Sequence, residues 1–132
     1  MILDFSDRCG LREGVNPDEL KTRTMSLAVR VLKLAGHLPP TVQGRTVAGQ
    51  ICRSATSVGA NYRAALRAKS RADFAHKIAI VLEEADETLF WLELIAESEL
   101  LPVVKLKALM IETEELVKIF NATRRSARNP ES

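Results

Sequence analysis

Aromatic residues and cysteines are scarce in this sequence, and each shortage narrows the class of protein to which the chain can belong. Aromatics make up 5% of the 132 residues, so the hydrophobic 46% consists mainly of Leu, Ala, Val and Ile. Leu and Ala lose little side-chain freedom in a helix, which favours helices over strands. The two cysteines, Cys9 and Cys52, form no CxxC pair. This argues against a structural zinc site and fits reduced thiols in the cytoplasm.

Long hydrophobic runs are also missing. The longest one, residues 78–82, is far shorter than the ~20 residues that a membrane-spanning helix needs. The first 14 residues contain five charged side chains, which is incompatible with the apolar stretch of a secretory signal. We therefore expect a cytoplasmic protein with no membrane partner.

Four amphipathic segments with helical spacing fill most of the chain, and none shows the alternation of a strand. Capping residues, prolines and glycines separate these segments. The predicted helices cover residues 17–36, 41–68, 70–98 and 102–128. The length suits one domain, so we divide the chain into a flexible N-terminal arm (1–15), a helical domain (16–128) and a C-terminal tail (129–132). Long helices with short connections are typical of an all-α, antiparallel up-down-up-down four-helix bundle.

The apolar stripes of these helices give the expected core. We expect four side chains of the third helix to be buried: Phe74, Ile78, Leu89 and Leu92. Their expected neighbours on the other helices are Val31, Ile51, Val58, Leu109 and Leu116. At the edge of this core, Ser54, Ser57 and Asn61 are expected to form hydrogen bonds between helices.

The third predicted helix carries a second stripe, although a bundle helix normally needs only one. Its members are Ile80, Glu84, Glu87, Trp91 and Leu94. Because tryptophan is common at protein interfaces, we interpret this stripe as an oligomer interface. The first helix has a similar extra apolar side, made by Met25, Val29 and Leu32. The alternative is that Trp91 packs on its own chain beneath the N-terminal arm.

Charge is sorted along the chain, although the formal net charge is only +2. Residues 41–77 contain seven basic residues and one acid, whereas residues 78–101 contain seven acids and no base. Four arginines of the second helix fall within about a quarter of a turn on a helical wheel, and two more bases follow. The whole set is Arg45, Arg53, Arg63, Arg67, Lys69 and Arg71. Arginine matches phosphate well, so this basic face is the candidate surface for binding RNA or DNA.

Two other roles remain open for the basic face. It can be a solvated outer surface, or it can pair with the acidic third helix of a neighbouring subunit. No aromatic platform accompanies the arginines, which counts against readout of single-stranded nucleic acid.

No pattern in the sequence indicates catalysis. The acidic third helix lacks the two Glu-x-x-His pairs of di-iron bundles, and its nearest analogue is Asp73-x-x-His76. Arg53 could lower the pKa of the adjacent Cys52 thiol, but no histidine is placed to act as its base. We therefore interpret Cys52 as a small structural residue. We expect no catalytic residue, no metal, no cofactor and no small-molecule substrate.

Three linked segments of the chain resemble a known family. Residues 53–65 read RSATSVGANYRAA, residues 70–74 read SRADF, and residues 83–93 read EEADETLFWLE. In this order and spacing they are similar to the bacterial four-helix-bundle family first named from reading frames in intervening sequences of large-subunit ribosomal RNA genes. The resemblance covers residues 20–122. Many members carry Glu-Gly where this chain has Ala64-Ala65, so no role of that glutamate carries over.

The resemblance implies a homopentamer of four-helix bundles whose biochemical function is largely unassigned. The accessory protein of diversity-generating retroelements resembles the family in fold; it is a basic pentamer that binds nucleic acid, which supplies an analogy. Our first hypothesis is therefore a non-enzymatic homo-oligomer that associates with nucleic acid through the second helix. The second is a protein-interaction scaffold with no nucleic-acid role.

Overall fold

The computed structural model describes residues 16–128, and this part of the chain is helical without strands. The four helices are α1 (Pro17–Ala35), α2 (Val42–Ala65), α3 (Arg71–Glu97) and α4 (Lys107–Arg128). Consecutive helices pack side by side, and α4 also contacts α1. This arrangement is the predicted antiparallel four-helix bundle. Within the described range, no helix is long and apolar enough to cross a membrane. The arm and the tail expected at residues 1–15 and 129–132 lie outside the described residues.

Side-chain caps fix the starts of the first three helices. The Asn16 side chain accepts a hydrogen bond from the α1 backbone at 2.8 Å, and the Thr41 and Ser70 hydroxyls accept equivalent bonds for α2 and α3, each at 3.1 Å. Each cap satisfies a backbone N–H that has no partner within its helix. The prediction that α4 begins at Pro102 is wrong. Pro102 is extended and precedes a short 3₁₀ turn, Val103–Lys105, so that α4 begins at Lys107.

The buried positions recur in alternating steps of three and four residues. On α3 they are Phe74, Ile78, Val81, Ala85, Thr88, Leu92 and Ile95. This spacing keeps one narrow seam of each helix against its neighbours and suits nearly parallel packing of helix axes. The expectation that Leu89 is buried is therefore wrong. Thr88 takes the core position and Leu89 is only half-buried, because the repeat continues from Ala85 in a step of three.

A buried polar pair explains how a threonine fits that core position. The Thr88 hydroxyl donates to Ser54 Oγ on α2 at 2.9 Å, and Ser54 donates to the Ile51 carbonyl. Both side chains are fully buried, and their mutual bond removes the cost of burying unpaired hydroxyls. The predicted interhelical role of Ser54 is therefore confirmed. Asn61 behaves differently, because its amide donates to the Ser57 carbonyl within α2.

An ion-pair cluster joins α1 to α4 and closes the bundle. The Arg23 guanidinium binds both carboxylate oxygens of Glu112, at 2.9 and 2.8 Å, and also contacts Glu115 at 2.5 Å. These hydrogen bonds, led by the one to Glu112, raise the pKa of Arg23 above its ordinary value. The cluster gave no signal in the sequence, because its partners are about 90 positions apart.

Gly44 permits the tight entry into α2. A Cβ atom at this position would lie 1.9 Å from the Pro39 carbonyl oxygen, whereas a Cβ at Gly49 on the same helix would meet no atom within 4 Å. We expect Gly44→Ala to lower the free energy of unfolding by about 1–3 kcal/mol, since backbone must move to relieve the clash. Gly49→Ala should raise it by about 0.5–1 kcal/mol, since alanine favours the helix. Urea denaturation measures both values, and similar effects of the two substitutions would refute this explanation.

Candidate nucleic-acid and assembly surfaces

The six predicted phosphate-binding residues divide into separate groups along the bundle. The three arginines of α2 are exposed, as is Arg67 in the turn after it, but Arg45 lies near the start of the helix and Arg63 near its end. Eighteen helical positions separate those two residues by about 27 Å. Arg67, Lys69 and Arg71 continue from Arg63 through the turn into α3. The basic face is therefore densest where α2 ends.

Arg53 lies between these groups and is bound by its own chain. Its guanidinium donates to Glu84 of α3 at 3.1 Å and also to Glu87. These contacts raise the pKa of Arg53 and, together with the Trp91 indole N–H, hold the pKa of the Glu87 carboxyl below its usual range. The acidic side of α3 thus pairs with α2 of the same protomer. This engagement leaves Arg53 out of the group available to phosphate.

The Glu87 pKa gives an expectation for acid stability. Because the folded pKa is depressed, Glu87 stabilises the fold when ionised, and this contribution is lost as the pH falls from about 5 to 3. Arg53→Gln should therefore lose less thermal stability than the wild type over that interval. Arg45→Gln is the matched control, since Arg45 donates only to the Pro40 carbonyl. An unchanged acid response in Arg53→Gln would show that the ion pair is not stabilising; the measurement is Tm by circular dichroism.

Other basic side chains lie near the end of α2 and in the turn that follows it. Arg63 and Arg67 are exposed, and neither forms an ion pair with another residue in the range 16–128. Lys69 is exposed as well, and its backbone N–H donates to Asp73. Arg71 is half-buried at the start of α3. Arg63, Arg67 and Lys69 are therefore placed to meet an external anion.

The second stripe of α3 lies beside α2. All five of its members are half-buried. Glu84 and Glu87 hold Arg53, while Trp91 and Leu94 line an open groove of about 690 Å³ with the first turns of α2. The Trp91 indole donates to Glu87 at 3.0 Å, and its ring meets the exposed Phe90 edge-on. The chain thus covers part of the stripe and leaves the Trp91 groove open.

The sequence did not indicate the rest of this groove. Val42 and Leu100 line it, and Val42 is 71% exposed. Val42 is the first residue of α2 and Leu100 belongs to the connection after α3, so that neither is part of an apolar stripe. Only the meeting of the start of α2 with the end of α3 brings them together.

A second apolar surface lies between α1 and α2. Met25, Val29 and Leu32 are 42–53% exposed. They line a smaller groove of about 270 Å³, which Gly59 and Ala60 also line. This α1 groove and the Trp91 groove are on different sides of the bundle, because one follows the α1–α2 pair and the other the α2–α3 pair.

The residues considered for chemistry are dispersed. Cys52 is a half-buried free thiol, and burial raises its pKa. The lowering of this pKa that was expected from Arg53 is therefore not found. His37 and His76 are both exposed, and a ring nitrogen of His37 lies 2.9 Å from the Lys33 carbonyl. Among residues 16–128, no three His, Cys, Asp or Glu side chains are grouped to hold a metal ion.

Comparison with known proteins supplies the family. Residues 19–122 match the family model described as 23S rRNA-intervening sequence protein. A crystal structure of a protein of unknown function from the S23 ribosomal protein family of Bacteroides thetaiotaomicron has the same fold, with a TM-score of 0.74 and 35% identity. That match covers 80% of this chain and 97% of the other. No curated protein matches the sequence. The chain therefore belongs to the 23S rRNA-intervening sequence protein family.

Proposed function

We propose that this protein is a non-enzymatic, homo-oligomeric helical bundle that associates with RNA or DNA through phosphate groups. The observation that carries the proposal is the exposure of Arg63 and Arg67 without an ion pair in the described chain. Of the acids of the adjacent α3, Glu84 and Glu87 pair with Arg53, and Asp73 pairs with Lys77. A guanidinium that remains available can form paired hydrogen bonds to phosphate oxygens.

The homo-oligomeric part of the proposal is supported by two apolar surfaces. Trp91 and Leu94 border one groove, and Met25, Val29 and Leu32 border the other. Large side chains left partly exposed in this way favour interfaces. Because the surfaces differ and lie on different sides, a head-to-tail contact that closes into a ring suits them better than a two-fold contact. The ring of five implied by the family resemblance fits this geometry.

The non-enzymatic part of the proposal is supported by the separation of the reactive groups. A catalytic thiol needs a lowered pKa and a nearby base, whereas burial keeps the Cys52 thiol protonated. The two exposed histidines lie on α3 and after α1, and in the described part of the chain neither forms a hydrogen bond with Cys52 or with the other.

Binding of short RNA and DNA fragments by fluorescence anisotropy tests the nucleic-acid part. Arg63→Ala/Arg67→Ala should weaken binding by several-fold, and by the same factor for all sequences, because phosphate contacts carry no sequence information. Arg53→Ala is the matched control and should change the affinity little, since this guanidinium is already occupied. Absence of wild-type binding at low salt would contradict the proposal.

A protein-interaction scaffold is the second candidate function. The Trp91 groove favours it, because an open apolar groove of about 690 Å³ fits side chains of a partner better than phosphate. This candidate replaces the first if the wild type forms a stable assembly but binds neither RNA nor DNA.

A further inference from the structure

We propose that one end of the bundle, rather than the side of α2, is the surface that binds nucleic acid, and that it binds the backbone of a duplex. This basic end is formed by the turn after α2, the start of α3 and the last turns of α4. Its members are Arg67, Lys69, Arg71, Arg124, Arg125 and Arg128. The inference rests on the proposed function and assigns the place and the form of its nucleic-acid partner.

The register of the bundle brings these residues to the same level. Alternate helices of an up-down bundle run in the same direction, so α2 and α4 are parallel. The rings of Tyr62 and Phe120 lie 5.4 Å apart across the core and align the two helices. Arg67 is five positions beyond Tyr62, and Arg125 is five positions beyond Phe120. Both arginines therefore emerge at the same end, although 58 positions separate them in the sequence.

Positive charge predominates at this end of the described bundle. Residues 63–69 and 121–128 contain six bases and no acid. Arg67, Arg125 and Arg128 are exposed, and none forms an ion pair with another residue that the structure describes. The acid of the first α3 turn, Asp73, is bound by Lys77 at 2.6 Å. Exposed bases that converge from α4 and from the turn after α2 produce a local field that attracts polyanions.

Besides Asp73, two acids of the described chain lie at this end. Asp18 and Glu19 lie in the first turn of α1, where they complement the helix dipole. At the opposite end, the last two turns of α3 and its following turn carry Glu93, Glu97 and Glu99. Lys105 and Lys107 lie at that same end and are offset by these acids, so the basic end carries the stronger positive charge.

A duplex fits the basic end better than a single strand. Single-strand surfaces stack bases on exposed aromatic rings, but Tyr62, Phe74 and Phe120 near this end are fully buried. The exposed Phe90 and the half-buried Trp91 belong to the far half of α3. In a four-helix bundle, the axes of neighbouring helices are 8–10 Å apart, so the axes of two diagonally opposite helices, such as α2 and α4, are about 14 Å apart. This is comparable with the ~12 Å major groove of B-DNA, so the α2 and α4 arginines can contact phosphates of both strands.

The helix dipole alone does not explain this arrangement. Cations at the end of α4 do favour its negative pole, which accounts for Arg124, Arg125 and Arg128 taken separately. It does not account for Arg67 and Lys69, which follow α2 and lie at the same end of the bundle as the α4 arginines. The three α4 arginines also lie beyond residue 122, where the family match ends, so they belong to this chain rather than to the family pattern.

The test compares two double charge reversals at opposite ends of the full-length protein. Arg125→Glu/Arg128→Glu alters the basic end, and Lys105→Glu/Lys107→Glu makes the same change in net charge at the other end, where both lysines are exposed. Fluorescence anisotropy is measured at about 100 mM salt with three labelled probes. These are a DNA duplex, an RNA duplex of the same sequence, and one of the strands alone. Circular dichroism and light scattering confirm that both variants keep their helices and their mass.

We expect the basic-end variant to lose at least about tenfold in duplex affinity, with a salt slope shallower by about 1.8 per protomer if two phosphate contacts disappear. The control should change less than about twofold. Equal losses in both variants would overturn the inference, because binding would then follow net charge alone. The inference would also be overturned if the single strand bound more tightly than the duplex. Displacement of the duplex by polyglutamate of the same total charge would overturn it as well.

The two levels of the proposal fail in different ways. If the wild type binds no nucleic acid, the proposed function fails and the inference fails with it. If the wild type binds and Arg45→Glu weakens binding while the basic-end variant does not, the inference fails and the proposed function stands. The DNA and RNA arms identify which duplex supplies the phosphates, and binding of either one supports the inference.

Discussion

Leu92→Ala should lower the free energy of unfolding by about 2–5 kcal/mol, as large-to-small changes in a close-packed core do. Leu92 is fully buried on the α3 seam, and its neighbours are held by three other helices, so that the cavity can collapse only partly. Leu89→Ala removes the same atoms from a half-buried position. It should cost less than half as much, because water already reaches that side chain. Denaturant titration measures both changes in the free energy of unfolding, with the same dependence of that free energy on denaturant concentration used for both variants.

This pair of substitutions tests the phase of α3, on which the position of every α3 side chain depends. If Leu89→Ala were as costly as Leu92→Ala, the core seam would pass through Leu89 and the helix would be rotated. The Thr88–Ser54 hydrogen bond would then be misplaced. Thr88→Val provides a further check, since it leaves the Ser54 hydroxyl without its donor and should be destabilising despite conserving volume.

Trp91→Glu should convert a multimeric wild type into smaller species that remain helical. The substitution puts a charge into the open groove beside Leu94 and next to Glu87, where a partner surface would have to desolvate it. Because Trp91 is only partly buried in its own chain, the protomer should still fold. Light scattering gives the mass of each species, and we expect the wild-type mass to be that of a pentamer.

Ile111→Glu is the matched control for this change. Ile111 is 56% exposed on α4 and lines neither groove, so its replacement adds the same charge without affecting the proposed interface. The control should keep the wild-type mass. A monomeric wild type, or an unchanged multimer in Trp91→Glu, would contradict assembly through this groove.

Local signals in the sequence were enough to predict the fold. Asn16, Thr41 and Ser70 cap their helices as their residue types and positions indicate, and the apolar spacing gives four helices with short connections. The phase of α3 was harder, since a leucine at 89 is a better core candidate than a threonine at 88. Its true phase depends on a hydroxyl partner from α2, which only the folded chain supplies.

The candidate site was less predictable because it depends on contacts between distant parts of the chain. The uneven distribution of charge along the sequence identified the basic residues of α2. It could not show that Glu84 and Glu87 bind Arg53 of the same protomer. Nor could a helical wheel for α2 include the arginines of α4. These become level with Arg67 only through the Tyr62–Phe120 contact.

The salt dependence of binding by the wild-type protein tests the central claim most directly. Phosphate binding releases condensed counterions, so the affinity falls as a power of the salt concentration. We expect a short duplex to bind at about 50 mM salt and the affinity to fall by at least about tenfold at about 200 mM, the loss for two or more phosphate contacts. Absence of binding at the lower salt, or an affinity that is the same at both, would contradict the claim.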